Sequence, residues 1–389
     1  MVPTGLFDLT PEQHEHVAWV KQVAAETLAP IAERGRPGHV DRDLISAMGD
    51  LGLLRRLFPG VTEATGEPSR EAAALDLCLL REALATVSTE SETALALQGL
   101  GTYPLLQSGS DDVVRRWVPA VARGEAVAGF ALTEPDAGSD AAALALDAKP
   151  DGDGWRLTGE KVWISNAPEA DFYSVFARTT ADAGAKGVTA FVVPGDAEGL
   201  GGNHLDMLSP HPIGRLVFDG VRVERADLLG EPDRGFTVAM RTLDLFRPSV
   251  GAFAVGMAQA ALDAAVAHAG ERQAFGGPLR QLQSVGHTLA EMATRVETAR
   301  LMVYRAGAAY DDGRPGISTS SAMAKLVATE TAQWVVDQAI QIHGARALER
   351  GHLLEHLYRE VRAPRIYEGA TEVQRSIIAR ELFNERITP

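Results

Sequence analysis

The sequence changes texture twice along its length. Over residues 126–235, short runs of β-branched and aromatic residues alternate with turn residues; on either side, apolar residues recur at helical spacing. This order of helices, strands and helices is the strongest constraint on the fold. It predicts a mainly α protein with a central β domain: an N-terminal α-helical domain over 1–125, a middle β domain over 126–235 and a C-terminal helical bundle over 236–389. A chain of 389 residues is too long for one ordinary core and fits two or three domains. We find no internal repeat and no low-complexity tract.

Local signals fill in the frame. Thr10-Pro11-Glu12 is a helix start, a capping hydroxyl followed by proline at the first helical position, and Val17, Val20, Val23 and Leu28 follow at roughly helical spacing. Further helical runs are expected over 41–52, 70–86, 91–101 and 111–123, with breaks near 59–69 and 108–110. AGFALT, WRLTGEKVWIS, FYSVFARTT, GVTAFVVP and GRLVFDGVRVE are the candidate strands. In the last, Asp219-Gly220 interrupts the alternation as a turn or bulge, and Asp151-Gly152-Asp153-Gly154 is a strong turn signal. Segments 249–268, 281–310, 318–343 and 371–384 read as long helices, rich in Ala and Gly and so able to pack closely.

Charge and motif absence narrow the function. Lys and Arg number 37 against 52 Asp and Glu, a net charge of −15 that disfavours nucleic acid and anionic membrane as partners. An anionic ligand would need a local basic pocket. The single cysteine, Cys78, lies in the apolar run LDLCLL and reads as a buried inert thiol; no disulfide framework is possible. No apolar run is expected to span a bilayer, and the N-terminus lacks the pattern of a signal or transit peptide, so the expectation is a cytoplasmic protein. There is no G-x-G-x-x-G after a strand, no P-loop and no G-x-S-x-G elbow. His352-Leu353-Leu354-Glu355-His356 fits the H-x-x-E-H pattern of inverted zinc peptidases, and on a helix the two histidines would share a face. Two exposed histidines on a polar stretch are the plainer reading, and no metal is expected.

Five separated segments together resemble the acyl-CoA dehydrogenase family. They are Ala131-Leu132-Thr133-Glu134-Pro135-Asp136-Ala137-Gly138-Ser139-Asp140, Gly159-Glu160-Lys161-Val162-Trp163-Ile164-Ser165-Asn166, the Arg272-Gln273-Ala274-Phe275-Gly276 segment, Gln341-Ile342-His343-Gly344, and Ile366-Tyr367-Glu368-Gly369-Ala370-Thr371-Glu372-Val373-Gln374-Arg375. The resemblance covers almost the whole chain. It implies a middle domain of barrel or sandwich type, a C-terminal four-helix bundle, FAD as cofactor and an acyl-CoA thioester as substrate. It also implies oxidation to a trans-2-enoyl thioester, an electron-transferring flavoprotein as acceptor, and a homotetramer.

That reaction needs a base at the α-carbon, stabilisation of enolate-like charge on the thioester carbonyl, and a hydride acceptor at the β-carbon. Glu368 suits the base: desolvation raises a carboxylate's proton affinity, Tyr367 and Ile366 offer an apolar neighbourhood, and Gly369 lets backbone approach a ligand. Taken alone, Glu368 reads more readily as an acid near a helix N-terminus, favourable to the dipole. By resemblance it is the base, and its backbone N–H helps bind the thioester carbonyl. Some branches of the family place the base on an earlier helix, at the position of Phe246, which cannot take a proton. Asp244 and Arg247 either help hold the pantetheine arm or order the base, or form a helix-surface ion pair.

For the flavin ring, Thr133 and Ser165 carry hydroxyls and Trp163 a flat packing surface; the alternative is a β-domain core tryptophan flanked by turn hydroxyls. The resemblance implies FAD contacts over Phe130–Ser139, including Leu132 and Gly138, and over Trp163–Ser165, with Ser139 also near the CoA arm. It implies that Arg272 reaches the FAD phosphate of a neighbouring subunit, joined by Phe275, Gln283, Gln341 and Gly344, and that Ala370 and Glu372 also lie at the cofactor; Tyr367 and Gly369 then lie at the substrate. Three departures from the family pattern stand out: Ser165 for threonine, Ala345 for a second glycine, and Ala370 for threonine. They bear on cofactor affinity and substrate range rather than on the base. The competing readings are an enzyme of the same fold acting on a carrier-protein thioester or as an oxidase, and a non-catalytic thioester-binding relative.

Overall fold

The computed structural model describes residues 9–59 and 72–387. Helix α1 (Pro11–Val23) starts on the expected signal: the Gln13 N–H donates to Thr10 Oγ1 and the Thr10 N–H to Gln13 Oε1, a reciprocal capping box. A π-helical turn, Ala24–Leu28, carries it into α2 (Ala29–Ala32). Helices α3 (Arg42–Asp50), α4 (Ala74–Ala85), α5 (Thr89–Ser108) and α6 (Asp111–Ala122) follow. Helix α5 runs well past the expected 91–101, through Pro104. The break expected over 59–69 and the start of the 70–86 run lie largely outside the described residues.

Seven strands then form one sheet: β1 (Ala128–Ala131), β2 (Asp147–Asp151), β3 (Gly154–Ser165), β4 (Phe172–Arg178), β5 (Val188–Pro194), β6 (Leu200–His204) and β7 (Ile213–Val223). The sheet order is β1-β4-β2-β3-β7-β6, with β5 also on β4. The β2–β3 hairpin closes at Asp151-Gly152-Asp153-Gly154, with Gly152 at φ +63°. Against β7, the β3 register shifts between Leu157 and Thr158, opposite Val221 and Asp219, leaving Gly220 (φ +67°) unpaired. The interruption at Asp219-Gly220 is thus a bulge inside a continuous strand. Strands β2 and β6, with sequences DAKPD and LGGNH, were not anticipated. They lack apolar alternation and are set by backbone pairing to β3 and β7.

The remaining elements are α7 (Gly235–Glu271), a two-residue ladder β8 (Gln273–Ala274) and β9 (Gly277–Pro278), and helices α8 (Gln283–Asp311), α9 (Ile317–His343), α10 (Leu353–Glu360) and α11 (Thr371–Ile387). Helix α7 is far longer than the expected 249–268, and α10 was not anticipated. By length and composition alone α7 could cross a membrane, against the expectation that no run is long enough; yet 72% of that apolar window is buried within the protein. Its apolar side is a core face.

The chain divides into two compact units. The first comprises Met1–Ala29, Ala74–Glu92 and Asp244–Pro389, and the second Pro30–Ala73 and Thr93–Leu243. In the first, Ala252, Met257, Ala261, Met292, Val296, Val303, Ala324, Ala328 and Val335 form an alanine-rich core. Small residues set its helix spacing: a Cβ on Gly251 would stand 2.7 Å from Val303, and one on Gly256 2.5 Å from the Glu82 carbonyl oxygen. Cys78 lies in this core, and burial pushes its thiol well above the ordinary range, as an inert cysteine requires. In the second unit, aromatic pairs line the sheet, Trp117 on Phe172 at 4.7 Å and Trp155 on Phe191 at 5.4 Å between ring centroids.

Candidate functional site

In the first unit, the segment leading into α11 has an unusual backbone. Glu368 sits at φ +52° and Gly369 at φ +93°. A glutamate in the left-handed region is strained and persists only where its surroundings enforce it. Here they do. Lys325 Nζ, from α9, donates to the carbonyl oxygens of Tyr367 at 3.0 Å and Gly369 at 2.7 Å. Gln374 Nε2, from α11, donates to those of Glu368 at 3.2 Å and Gly369 at 2.8 Å, and Arg247 Nε, from α7, approaches the Glu368 oxygen at 3.4 Å. Three successive carbonyls are thus held by side chains that are themselves buried: Lys325 and Gln374 at 0% exposure and Arg247 at 4%. The Glu368 N–H has no acceptor among the described residues. Glu368 is therefore more than an acid placed near a helix start.

Its carboxylate is equally distinctive, because Oε2 is buried without a hydrogen-bond partner. Burial raises the proton affinity of Glu368, and the positive charges of Arg81, Lys325 and Arg247 pull against it. Ile366 and Tyr367, expected to give an apolar neighbourhood, are 57% and 37% exposed, yet burial of the carboxylate still outweighs the charged groups around it. Arg81 is buried and paired with the fully buried Glu92, and its Nη1 donates to Ser249 Oγ at 2.8 Å. Asp244 and Arg247 are paired at 2.8 Å, with Ser318 Oγ donating to Asp244 at 2.6 Å. Arg247 is buried and touches the Glu368 backbone, so the surface-pair reading of these two fails. Phe246 is 2% exposed and supplies no second acid.

In the second unit, the first two motifs are tied together. Lys161, fully buried on β3, donates through Nζ to the Leu132 carbonyl at 2.9 Å and to Glu134 Oε1 at 2.7 Å. Glu134 in turn accepts the backbone N–H groups of Ala145 and Leu146. Burial lowers the Lys161 pKa to about 8, and Glu134 opposes that shift. Beyond Lys161 the β3–β7 register shifts again, and Trp163 takes φ +56°. This bulge turns the indole outward to 50% exposure, which overturns the core-tryptophan alternative. Thr133 and Ser165 are partly exposed, and their hydroxyls have no partner among the described residues. An outward indole beside open hydroxyls fits an aromatic heterocycle with a polar edge. Phe130 is part-buried against Phe176, with centroids 5.0 Å apart; Leu132 is 7% exposed, while Gly138 and Ser139 are exposed.

If Trp163 packs on a planar ligand, Trp163→Ala should weaken that ligand by about 2–12-fold, from ~0.5–1.5 kcal/mol of ring contact. A half-exposed side chain contributes little to the fold. The melting temperature of ligand-free protein should therefore hardly move, and a fluorescence titration with FAD would read the difference.

The remaining candidates in the first unit lie at its surface. Arg272, Gln283, Gln341, Gly344, Ala345 and Glu372 are exposed and Ala370 is partly so. Phe275 is 91% exposed at φ +53°, between β8 and β9, so it is no core phenylalanine. The histidine pair of the H-x-x-E-H pattern separates: His352 caps α10, accepting the Leu354 N–H at 3.1 Å, while His356 contacts Thr89 Oγ1 at 2.7 Å. Glu134, Lys161 and Gln374 went unassigned although they lie inside the quoted motifs. Arg81, Glu92 and Lys325 are charges within apolar helical runs, and that was their only signal in the sequence.

Residues 10–125, 129–221 and 233–383 match the family models for the N-terminal, middle and C-terminal domains of acyl-CoA dehydrogenase. The chain belongs to the acyl-CoA dehydrogenase family. The family is FAD-dependent, and its members dehydrogenate acyl-CoA thioesters. Cyclohexane-1-carbonyl-CoA dehydrogenase of Geobacter metallireducens is 34% identical over 98% of this chain and 100% of its own. The structure of butyryl-CoA dehydrogenase from Megasphaera elsdenii is 32% identical, covers 97% of this chain and 99% of that one, and superposes with a TM-score of 0.89. A structure of PigA with FAD and proline is 28% identical, with the same coverage and a TM-score of 0.89.

Proposed function

We propose that the protein oxidises an acyl-CoA to the trans-2-enoyl-CoA, with Glu368 removing the α-proton. The observation that carries this is the buried, unpartnered Oε2 of Glu368 on a left-handed segment whose carbonyls are all held from behind. A desolvated carboxylate without a hydrogen bond is a stronger base than one in water. With its carbonyls committed, the segment has the Glu368 N–H available to meet the thioester carbonyl oxygen, where enolate-like charge develops. Arg247 and Lys325 set the base by holding its backbone, and Asp244 holds Arg247 in turn.

FAD, when bound, would supply the acceptor for the β-hydride. Trp163 supplies a packing face for its ring and the Thr133 and Ser165 hydroxyls its polar edge, supported by the exposure of all three. Lys161 and Glu134 keep the two segments in register, and Ser139 serves the CoA arm. The exposed Arg272, Phe275, Gln283, Gln341 and Gly344 suit contact with the FAD of a neighbouring subunit in a homotetramer, which light scattering would test. Electrons then pass to an electron-transferring flavoprotein.

The direct test is an anaerobic absorbance spectrum before and after addition of a panel of acyl-CoAs. Bleaching by one class of thioester is the expected result and names the substrate class. One second reading keeps the fold and changes the carrier, an acyl group tethered to a carrier protein instead of CoA. A flavoprotein that no acyl-CoA bleaches would support it, and a protein that takes up no FAD would overturn both.

A further inference from the structure

We propose that His39, Glu169 and His204, all in the second unit, form a binding site for one divalent transition-metal ion of the zinc type. The three arrive from separate places: the loop ahead of α3, the turn after β3 and the end of β6. Their ligand atoms lie within 4.8 Å of one another. His39 Nδ1 is 3.3 Å from Glu169 Oε1, His204 Nε2 is 3.9 Å from Glu169 Oε2, and the two imidazole centroids are 4.0 Å apart. A tetrahedral ion with ligand bonds of about 2.0–2.1 Å spaces its ligand atoms by roughly 3.3 Å. The His39–Glu169 pair already meets that spacing, and His204 reaches it with a small rotation. Two imidazole nitrogens and a carboxylate oxygen suit zinc, nickel or copper better than magnesium or calcium. Three protein ligands also leave a fourth position open to water.

The surroundings hold these ligands in place. The Val40 N–H donates to Glu169 Oε2 at 2.9 Å, and Arg42 Nη2 donates to the Glu169 carbonyl oxygen at 2.9 Å. Such outer contacts orient a ligating carboxylate. The nearby Arg42 charge is spent on Asp171, 2.9 Å away, and leaves the Glu169 carboxylate to the imidazoles. His204 Nδ1 is buried with no hydrogen-bond partner among the described residues, so hydrogen bonding at that nitrogen does not tie the ring to the rest of the fold. The three side chains remain 20%, 34% and 32% exposed, so an ion can enter the folded protein.

The position suggests what an ion would do. Glu169 lies in the turn that follows Ser165 and Asn166, whose N–H donates to Pro212 at 2.8 Å. Metal would clip this turn to the loop at 38–40 and to β6, bracing the end of β3 near Trp163 and Ser165. It would act as a structural staple, with no part in the redox chemistry.

The test uses chelator-stripped, FAD-loaded protein titrated with zinc chloride by calorimetry, with thermal melts alongside. One zinc per chain is expected at micromolar concentration, with a melting temperature raised by several degrees. His39→Ala and His204→Ala should each weaken zinc by at least ~10-fold, while the control His287→Ala on exposed α8 should leave it unchanged. Glu169→Gln preserves size and the Val40 contact, so loss of zinc there with a normal circular dichroism spectrum would separate ligation from misfolding. Cobalt(II) should give the visible absorption of a tetrahedral nitrogen–oxygen site. No saturable zinc binding, or binding that survives both histidine variants, would overturn the proposal and leave a hydrogen-bonded cluster only.

Discussion

Glu368→Gln is expected to bind FAD and acyl-CoA as the parent does and to reduce its flavin at least ~10³-fold more slowly, within the range a general base contributes. Stopped-flow absorbance under anaerobic conditions reads this directly. The amide has nearly the carboxylate's shape, and the segment's backbone is held by Lys325, Arg247 and Gln374 rather than by the Glu368 side chain. Near-normal reduction would remove Glu368 from its role.

The pH profile adds a second signature. Burial lifts the Glu368 pKa above its ordinary 4.5, so the reduction rate of the parent should climb with pH on a limb above that value. Glu368→Gln should lack the limb. Stability carries the opposite sign. Between 4.5 and the raised value the folded state binds more protons than the unfolded one, so the parent loses stability as pH rises through that window. The glutamine variant carries no such charge and should melt no lower than the parent at neutral pH, which separates lost chemistry from lost folding.

Lys325→Met is expected to slow flavin reduction by about 10²-fold, the scale of a misplacement near 1 Å. It leaves the Tyr367 carbonyl without its donor, at ~1–3 kcal/mol, and the Gly369 carbonyl with Gln374 alone, so a lower melting temperature should accompany it. A merely structural role would stop there. The Lys325 charge also opposes the effect of burial on Glu368, so its loss should move the limb of the rate profile to higher pH. Lys325→Arg keeps the charge and should restore the limb more fully than it restores the melting temperature. An unshifted limb in Lys325→Met would confine the residue to packing.

The order of helices, strands and helices was legible in the sequence because periodicity records which face of an element is buried. The Asp219-Gly220 bulge and the Thr10 cap were legible for the same reason, since their chemistry is local. Strands β2 and β6 were not, because a ladder can enlist residues such as DAKPD and LGGNH that have no pattern of their own. At the site, resemblance identified Glu368 as a residue type at a motif position. What it could not supply is how that residue is held. Lys325 is 43 positions from Glu368 in sequence and joins it only through the packing of α9. Arg81 with Glu92, and Glu134 with Lys161, are likewise buried pairs whose meaning exists only in three dimensions. Exposure was also hidden: the sequence leaves a core alternative open for Trp163, which the register shift in β3 removes by turning the ring outward.

Trp163, Phe275 and Glu368 share the left-handed backbone that ordinary residues avoid. At each, glycine or asparagine would relax the chain, by ~1–3 kcal/mol per position where the strain is fully released. A laboratory evolution campaign that selects only for heat resistance should therefore accumulate glycine or asparagine at these three codons and return sturdier, less active proteins. The same three positions are the ones to hold constant in any library meant to stabilise a working catalyst.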